Sequence, residues 1–584
     1  MNYEPLKRYW SIYALFALYI FLTIGYFLSY EMWHFPDGGA HMGYIYDVIK
    51  DNYPNYISGE TTLGPKLNYL NHPAMYYLIT GELIRLLHGV SHAIVLAQMI
   101  NFLISALTVY ITWRSLKTLI ASELAVFFGV SIVLLTPMFV ELSVAVNNDP
   151  LNILGCTILF YGIVNITAEV PHFSKTTLLI FVGGFIAVMT KGTGGLAAVC
   201  MVGIHILANM SLWLKHMKRL AAYQWVIIAL LVITALAYYT IQYIHYHTLF
   251  PAPQGNPADW FAISNPNRPR EELFNYFMAF LNSNFDSFIK PYGHTLFIDS
   301  TLRLSMITIT ISTFFILLPV VLIFKNHRDD VVRVFLIQMF LSLIIFLVFY
   351  FFVLYKMHMR TGYMGAMQAR YFYGYLPVIA LGIANLLDKL KENKIRNAMM
   401  LLMSASLVLS AYPAWASSVF KTLGVQYVGQ YTGNKTYAPL VDGRVFEQTF
   451  TAEGTKLQSM KLLLATYARV NTAIVKVSIL SMDEKTLFQI SISSKDIQDN
   501  SWHNISTNLK GLVKGQRYII RLTSPGANSD NSITWIASTG PTEDPHFANT
   551  KFGPPVIDEG YCGGEAIVDN IPHPKENFAF QLYF

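Results

Sequence analysis

The run Val334–Tyr355, VFLIQMFLSLIIFLVFYFFVLY, carries no charged side chain between Arg333 and Lys356. About 20 apolar residues in a helix reach across the ~30 Å hydrocarbon core of a bilayer, so this stretch reads as a membrane span. The same window places spans near 10–29, 91–113, 119–138, 150–168, 176–190, 192–214, 223–243, 303–324, 369–387 and 398–420, about eleven with the first. Composition agrees: 54% of residues are hydrophobic, 13% are charged, and the mean hydropathy is +0.40. Soluble domains do not combine those values. The segment His72 to His88 is short and carries Glu82 and Arg85, which fits a helix lying along the membrane surface. The expected fold is a polytopic α-helical membrane protein.

Basic residues test that count. Lys7 and Arg8, Arg114 and Lys117, Lys175, then Lys215, Lys218 and Arg219 all fall on one side. So do Lys325, Arg328, Arg333, Lys389, Lys391, Lys394 and Arg396. Short loops rich in Lys and Arg stay cytoplasmic, which also accounts for the net charge of +6 without nucleic acid as a partner. The N-terminus is then cytoplasmic, retained as a helix because no small-residue cleavage site follows it. The other side receives the loops near 30–72, 139–149, 244–302 and 356–368, together with the tail. Cys156, Cys200 and Cys562 supply neither a disulfide framework nor a metal motif.

The tail changes period. Ala473–Ile479, Leu487–Ile492, Arg517–Leu522 and Phe578–Tyr583 alternate apolar and polar positions as half-buried strands do, with Gly, Asn, Asp and Ser turns between them. The chain thus divides into a membrane domain over 1–435 and an extracytoplasmic β-sandwich, jelly-roll-like, over 436–584. Trp502 and Trp535 are either core residues or platforms for sugar rings.

Four polar positions fall at the outer ends of spans: Asp37 in Phe35–His41, Asp149 in Asn147-Asn148-Asp149-Pro150, Lys191 in Thr190-Lys191-Gly192, and Arg370 in Gln368-Ala369-Arg370-Tyr371. Each has a bland alternative: a turn aspartate, a helix cap, an internally paired lysine, an arginine reaching the interface. Together, carboxylates and cations on one rim suit an anionic, lipid-linked substrate beside an acid or base. The loop near 244–302 adds Asp259, Trp260, Phe261, Glu271, Glu272, Asp286 and His294, suited to gating or glycan contact. No His or Cys spacing matches a metal site, and no metal is assigned; a divalent ion between Asp37 and Asp149 stays open.

These residues resemble the GT-C glycosyltransferases, the membrane enzymes that include protein O-mannosyltransferases and the aminoarabinose transferase of lipid A. The resemblance rests on Pro36-Asp37 with His41, His72-Pro73-Ala74-Met75-Tyr76-Tyr77, Asn148-Asp149-Pro150, Thr190-Lys191 and Gln368-Ala369-Arg370-Tyr371. Where relatives carry an acidic pair after the proline, this chain has Asp37-Gly38. The resemblance implies a GT-C-like fold and transfer of one sugar from a polyprenyl (undecaprenyl) phosphate donor to an acceptor outside the inner membrane, with inversion and without a cofactor. It implies Asp37 as base, with Asp149, Lys191, Arg370, His41, His72 and Tyr371 binding substrate. The expected acceptor is O-antigen or a related envelope glycan. Alternatives are lipid A or a protein as acceptor, or a transporter of lipid-linked sugar, although transporters place their ionisable residues near the midplane of repeated halves.

Overall fold

The computed structural model describes residues 4–29, 38–51, 72–89, 92–169, 173–247, 249, 270–289, 331–362, 364, 366–390, 394–407, 427–430, 435–467, 469–497, 499–539, 564–573 and 576–584. The chain forms two compact units, Met1–Ser418 and Val419–Phe584.

The first unit is helical. Its elements are α1 (Glu4–Ser29), α2 (Gly38–Asp51), α3 (Met75–Leu86), α4 (Ala93–Leu119), α5 (Glu123–Leu135), α6 (Pro137–Leu142), α7 (Asp149–Thr167) and α8 (Phe173–Thr190). Then come α9 (Gly192–Ala208), α10 (Met210–Met217), α11 (Ala222–Tyr246), α12 (Leu273–Ile289), α13 (Val331–Thr361), a 3₁₀ turn (Ala369–Tyr375) and α14 (Leu376–Lys389), and residues 394–407 are helical again. Among the described residues, five helices are long and apolar enough to cross a membrane, and the bent pair α9 and α10 makes a sixth. The chain is an integral membrane protein.

The eleven expected spans are not reproduced one for one. The expected span 119–138 is broken: Ser122 caps α5 through its side chain, and α5 stops before Pro137, which lacks an amide hydrogen and forces Thr136 into an extended conformation. The expected span 192–214 bends by 103° at Asn209, whose side-chain amide bonds the His205 carbonyl and Gln338 Oε1. The span expected at 369–387 opens as the 3₁₀ turn and becomes α-helical only at Leu376, next to Pro377. The window 303–324 lies outside the described residues, as does 408–420. Helix α3 turns Tyr76, Tyr77 and Ile84 inward and leaves Leu83, Leu86, Leu87 and the Glu82–Arg85 ion pair exposed, so it is buried on one side only.

Close backbone approach aligns α7 with α8. A Cβ on Gly183 would lie 2.4 Å from the Leu159 amide nitrogen and 2.6 Å from the Gly155 carbonyl oxygen; one on Gly155 would lie 2.7 Å from the Ala187 nitrogen. Small residues at such crossings let membrane helices pack by van der Waals contact. Because α7 and α8 are consecutive and antiparallel, the start of α7 meets the end of α8.

The second unit has two antiparallel sheets. One contains β1 (Tyr427–Gln430), β13 (Phe580–Tyr583), β4 (Lys456–Ala465), β9 (Thr534–Thr539) and β12 (Glu576–Phe578) in that order, with β2 (Lys435–Thr436) on β9 and β7 (Ser501–Lys510) on β4. The other runs β11 (Ile571–His573), β10 (Ala566–Val568), β3 (Val445–Thr451), β8 (Arg517–Thr523), β5 (Ile474–Ser481) and β6 (Thr486–Ser493). Inward residues of both sheets, including Met460, Leu462, Val477, Ile520, Trp535 and Phe578, share one core. Trp535 is not a sugar platform: it is fully buried, stacks on Phe578 at 4.5 Å, and donates its indole N–H to the Ala579 carbonyl at 2.8 Å. Trp502 is half-buried on β7.

Candidate functional site

The α7–α8 hairpin brings two of the rim residues together. Asp149 opens α7, and Lys191 follows the last residue of α8 in an extended conformation that starts α9. Lys191 Nζ donates to Asp149 Oδ1 at 2.5 Å. Arg370, carried by the 3₁₀ turn, places Nη1 3.7 Å from Asp149 Oδ2. Exposure of the three is 0% for Asp149 and 5% for each cation. The Tyr371 ring lies against both cations, 4.7 Å from Lys191 Nζ and 5.5 Å from the Arg370 guanidinium carbon.

Neighbouring polar groups hold this geometry. Asn147 Oδ1 accepts the Asp149 amide at 2.8 Å, and Asn148 donates to the last carbonyl of α8, Thr190, at 3.1 Å. The cap of α7 is therefore Asn148, not Asp149, which leaves the Asp149 carboxylate for the two cations. Asn101 on α4 donates to the Ala145 and Asn147 carbonyls and to Tyr76 Oη, so α3 and α4 together brace the turn. On the other side, Ser287 of α12 accepts the Ala369 amide and Ser283 donates to the Met367 carbonyl, which fixes the turn before Arg370. Gly374 seats that turn on α7: a Cβ there would lie 2.8 Å from Cys156 Sγ.

His41 and His72 meet each other, stacked at 5.9 Å, and His41 Nδ1 hydrogen-bonds Tyr77 Oη at 2.8 Å. Tyr77 in turn stacks on Tyr44 at 3.8 Å. Burial, then the charges of Lys191 and Arg370, hold the His41 imidazole well below its ordinary pKa. It is a neutral ring at physiological pH, able to accept at one nitrogen and donate at the other.

Of the residues singled out in the sequence, Asp149, Lys191, Arg370 and Tyr371 form one centre, and the charges of that centre act on His41, which is paired with His72. Asp37 lies outside the described residues, as do Asp259, Trp260, Phe261 and His294. Asn101, Tyr76 and Tyr77 support the centre without having been assigned a role. Glu141, also unforeseen, sits fully buried on α6, which packs against the 3₁₀ turn that carries Arg370. Its signal was a lone charge in the apolar run Pro137–Val146.

Chemically, the centre combines a lysine, an arginine and the N-termini of α7 and α9, all favourable to an anion. Among the described residues, no group of three His, Cys, Asp or Glu side chains is placed to hold a metal ion. Asp149, the carboxylate considered for one, faces two cations instead.

No protein-family model and no curated protein matches the chain. Solved structures similar to it include ArnT from Cupriavidus metallidurans bound to undecaprenyl phosphate, at 11% identity over 70% of this chain and 78% of that one, with a TM-score of 0.43. The apo state of ArnT from Cupriavidus metallidurans gives 12% identity over 70% and 76%, with a TM-score of 0.45. On its own evidence, the chain is an integral membrane protein with a buried Asp149–Lys191–Arg370 centre and a C-terminal antiparallel β unit.

Proposed function

We propose that the protein is a GT-C-like membrane glycosyltransferase that moves a single hexose from a polyprenyl phosphate carrier to an envelope glycan such as O-antigen. The observation that supports this most is the convergence of Lys191 and Arg370, from separate segments, on a buried carboxylate beneath Tyr371. Burying two cations is costly, and a phosphate group is the ligand such a pair suits best. In the proposed reaction an acceptor hydroxyl attacks the anomeric carbon in line. The bond to the phosphate oxygen breaks, and its electron pair leaves on the polyprenyl phosphate. The acceptor proton passes to a carboxylate, which we assign to Asp37. Lys191 and Arg370 stabilise the charge gathering on the phosphate. Asp149 holds the two cations in register, and neutral His41, with His72, orients the sugar or acceptor. One displacement inverts the anomeric configuration. On this reading the site and the β unit face the outside of a bacterial inner membrane, and no cofactor takes part.

The test is transfer of labelled hexose from a polyprenyl phosphate donor to an envelope glycan extract by the purified protein. Asp37→Asn is expected to bind donor and transfer nothing, and Lys191→Met to lose donor binding. Absence of transfer by the folded wild type with varied donors and acceptors, together with movement of labelled lipid across vesicles, would overturn the reading in favour of a transporter.

A further inference from the structure

Glu141 is buried to 0% exposure, and among the described residues neither of its carboxyl oxygens has a hydrogen-bond partner. Buried polar groups are nearly always paired, and an exception calls for a reason. Stability offers none: among the described residues the side chain caps no helix and makes no ion pair, and its helix α6 packs against α1, α5, α7, α12 and the 3₁₀ turn. Burial pushes its pKa up to about 8 against the opposing charge of Arg370, so at neutral pH it is mainly the uncharged acid. Such a group offers one O–H donor together with acceptor lone pairs.

That pattern selects among ligands. A phosphate has acceptors only and would satisfy one of the two oxygens. Two adjacent hydroxyls both donate and accept, so they satisfy both oxygens at once. In a lipid-linked sugar the ring is attached directly to the phosphate, and Glu141 lies on α6, which packs against the turn that carries a phosphate-suited arginine. We propose that Glu141 is a recognition residue for the transferred sugar, hydrogen-bonding an adjacent pair of its ring hydroxyls while Lys191 and Arg370 hold the phosphate. This rests on the function proposed above for the centre.

The experiment measures binding of two kinds of probe to the full chain in detergent: bare polyprenyl phosphate, and polyprenyl phosphate carrying glucose, galactose or mannose. Glu141→Leu is expected to weaken the preferred sugar-bearing lipid on the order of tenfold or more while bare lipid stays within about twofold. Glu141→Gln keeps a donor and an acceptor in the same shape and should retain most of the preference. Glu141→Leu should also melt no lower than the wild type, because its carboxyl makes no bond to lose. Equal weakening on both probes would overturn the proposal by placing Glu141 at the phosphate. Unchanged binding of both would overturn it by making the carboxyl silent, and so would a wild type that prefers no sugar-bearing lipid over the bare one. Binding of neither probe by the wild type is the distinct result that removes the phosphate reading itself, and this proposal with it.

Discussion

Asp149→Asn keeps the shape of the side chain and removes a negative charge that meets both Lys191 and Arg370. All three residues are at most 5% exposed, so water cannot replace the lost carboxylate. At an effective dielectric constant of 20, a charge pair at 2.5 Å is worth about 6–7 kcal/mol before desolvation is counted. Removing one partner from a buried pair typically costs about 3–5 kcal/mol, because the other charge stays behind unpaired. We therefore expect the variant to lose about 3–5 kcal/mol of stability, read as a lower Tm in detergent. The phosphate reading adds a second expectation. The two cations left without their carboxylate attract an anion more strongly, so polyprenyl phosphate should raise the Tm of Asp149→Asn by more than it raises that of the wild type. A ligand at about 100 times its Kd contributes about 2.7 kcal/mol and so recovers much of the loss. The double variant Asp149→Asn/Lys191→Met should be less destabilised than the sum of the single variants. The reasoning is refuted if polyprenyl phosphate stabilises the variant no more than the wild type, or if the single losses simply add.

Three further expectations concern other parts of the chain. Gly183→Ala sets a Cβ against backbone atoms of α7 that cannot move aside, and should cost about 1–3 kcal/mol, whereas Gly203→Ala meets nothing within 4 Å and should gain about 0.5–1 kcal/mol of helix stability; paired thermal melts check both. Glu141 has a folded pKa of about 8 against an ordinary 4.5, so between those values the folded state holds the extra proton and stability falls as pH rises. The slope of wild-type stability, relative to Glu141→Gln, should approach about −1.4 kcal/mol per pH unit inside that window and vanish below about pH 4.5; a pH series of melts tests it. In the β unit, Trp535→Ala should cost about 3–5 kcal/mol, measured by chemical unfolding, because it empties the shared core and removes the indole hydrogen bond to the Ala579 carbonyl.

The candidate centre was legible because charge at the end of an apolar run is expensive and therefore conspicuous. Asp149, Lys191 and Arg370 each interrupt or bound such a run, and Asp149 and Lys191 end the two arms of one hairpin, so their meeting follows from chain order alone. Arg370 is different: 221 and 179 residues separate it from those partners (370 − 149 and 370 − 191), and tertiary packing brings it in, with Gly374 against Cys156 and the bonds from Ser283 and Ser287. Hydropathy was blind to local backbone chemistry. An averaging window cannot feel one missing amide hydrogen, so it read through Pro137 and Pro377, and it cannot feel one side-chain amide, so it read through Asn209, where the helix turns by 103°. Trp535 was ambiguous for a related reason, since the aromatic face that stacks on a sugar is the same face that fills a core.

Glu141 was passed over because a single acidic residue among apolar neighbours looks like a loop residue near water. Its burial is a tertiary fact, produced when α5 ends at Pro137 and α6 folds back among α1, α7, α12 and the 3₁₀ turn. The break that spoiled the span count is thus the same event that carries a carboxyl inside beside Arg370. The cost of burying it appears only because the chain stops being regular at that point, and that coincidence of irregular backbone with an unpaired buried acid is what links the fold of this segment to recognition of a ligand.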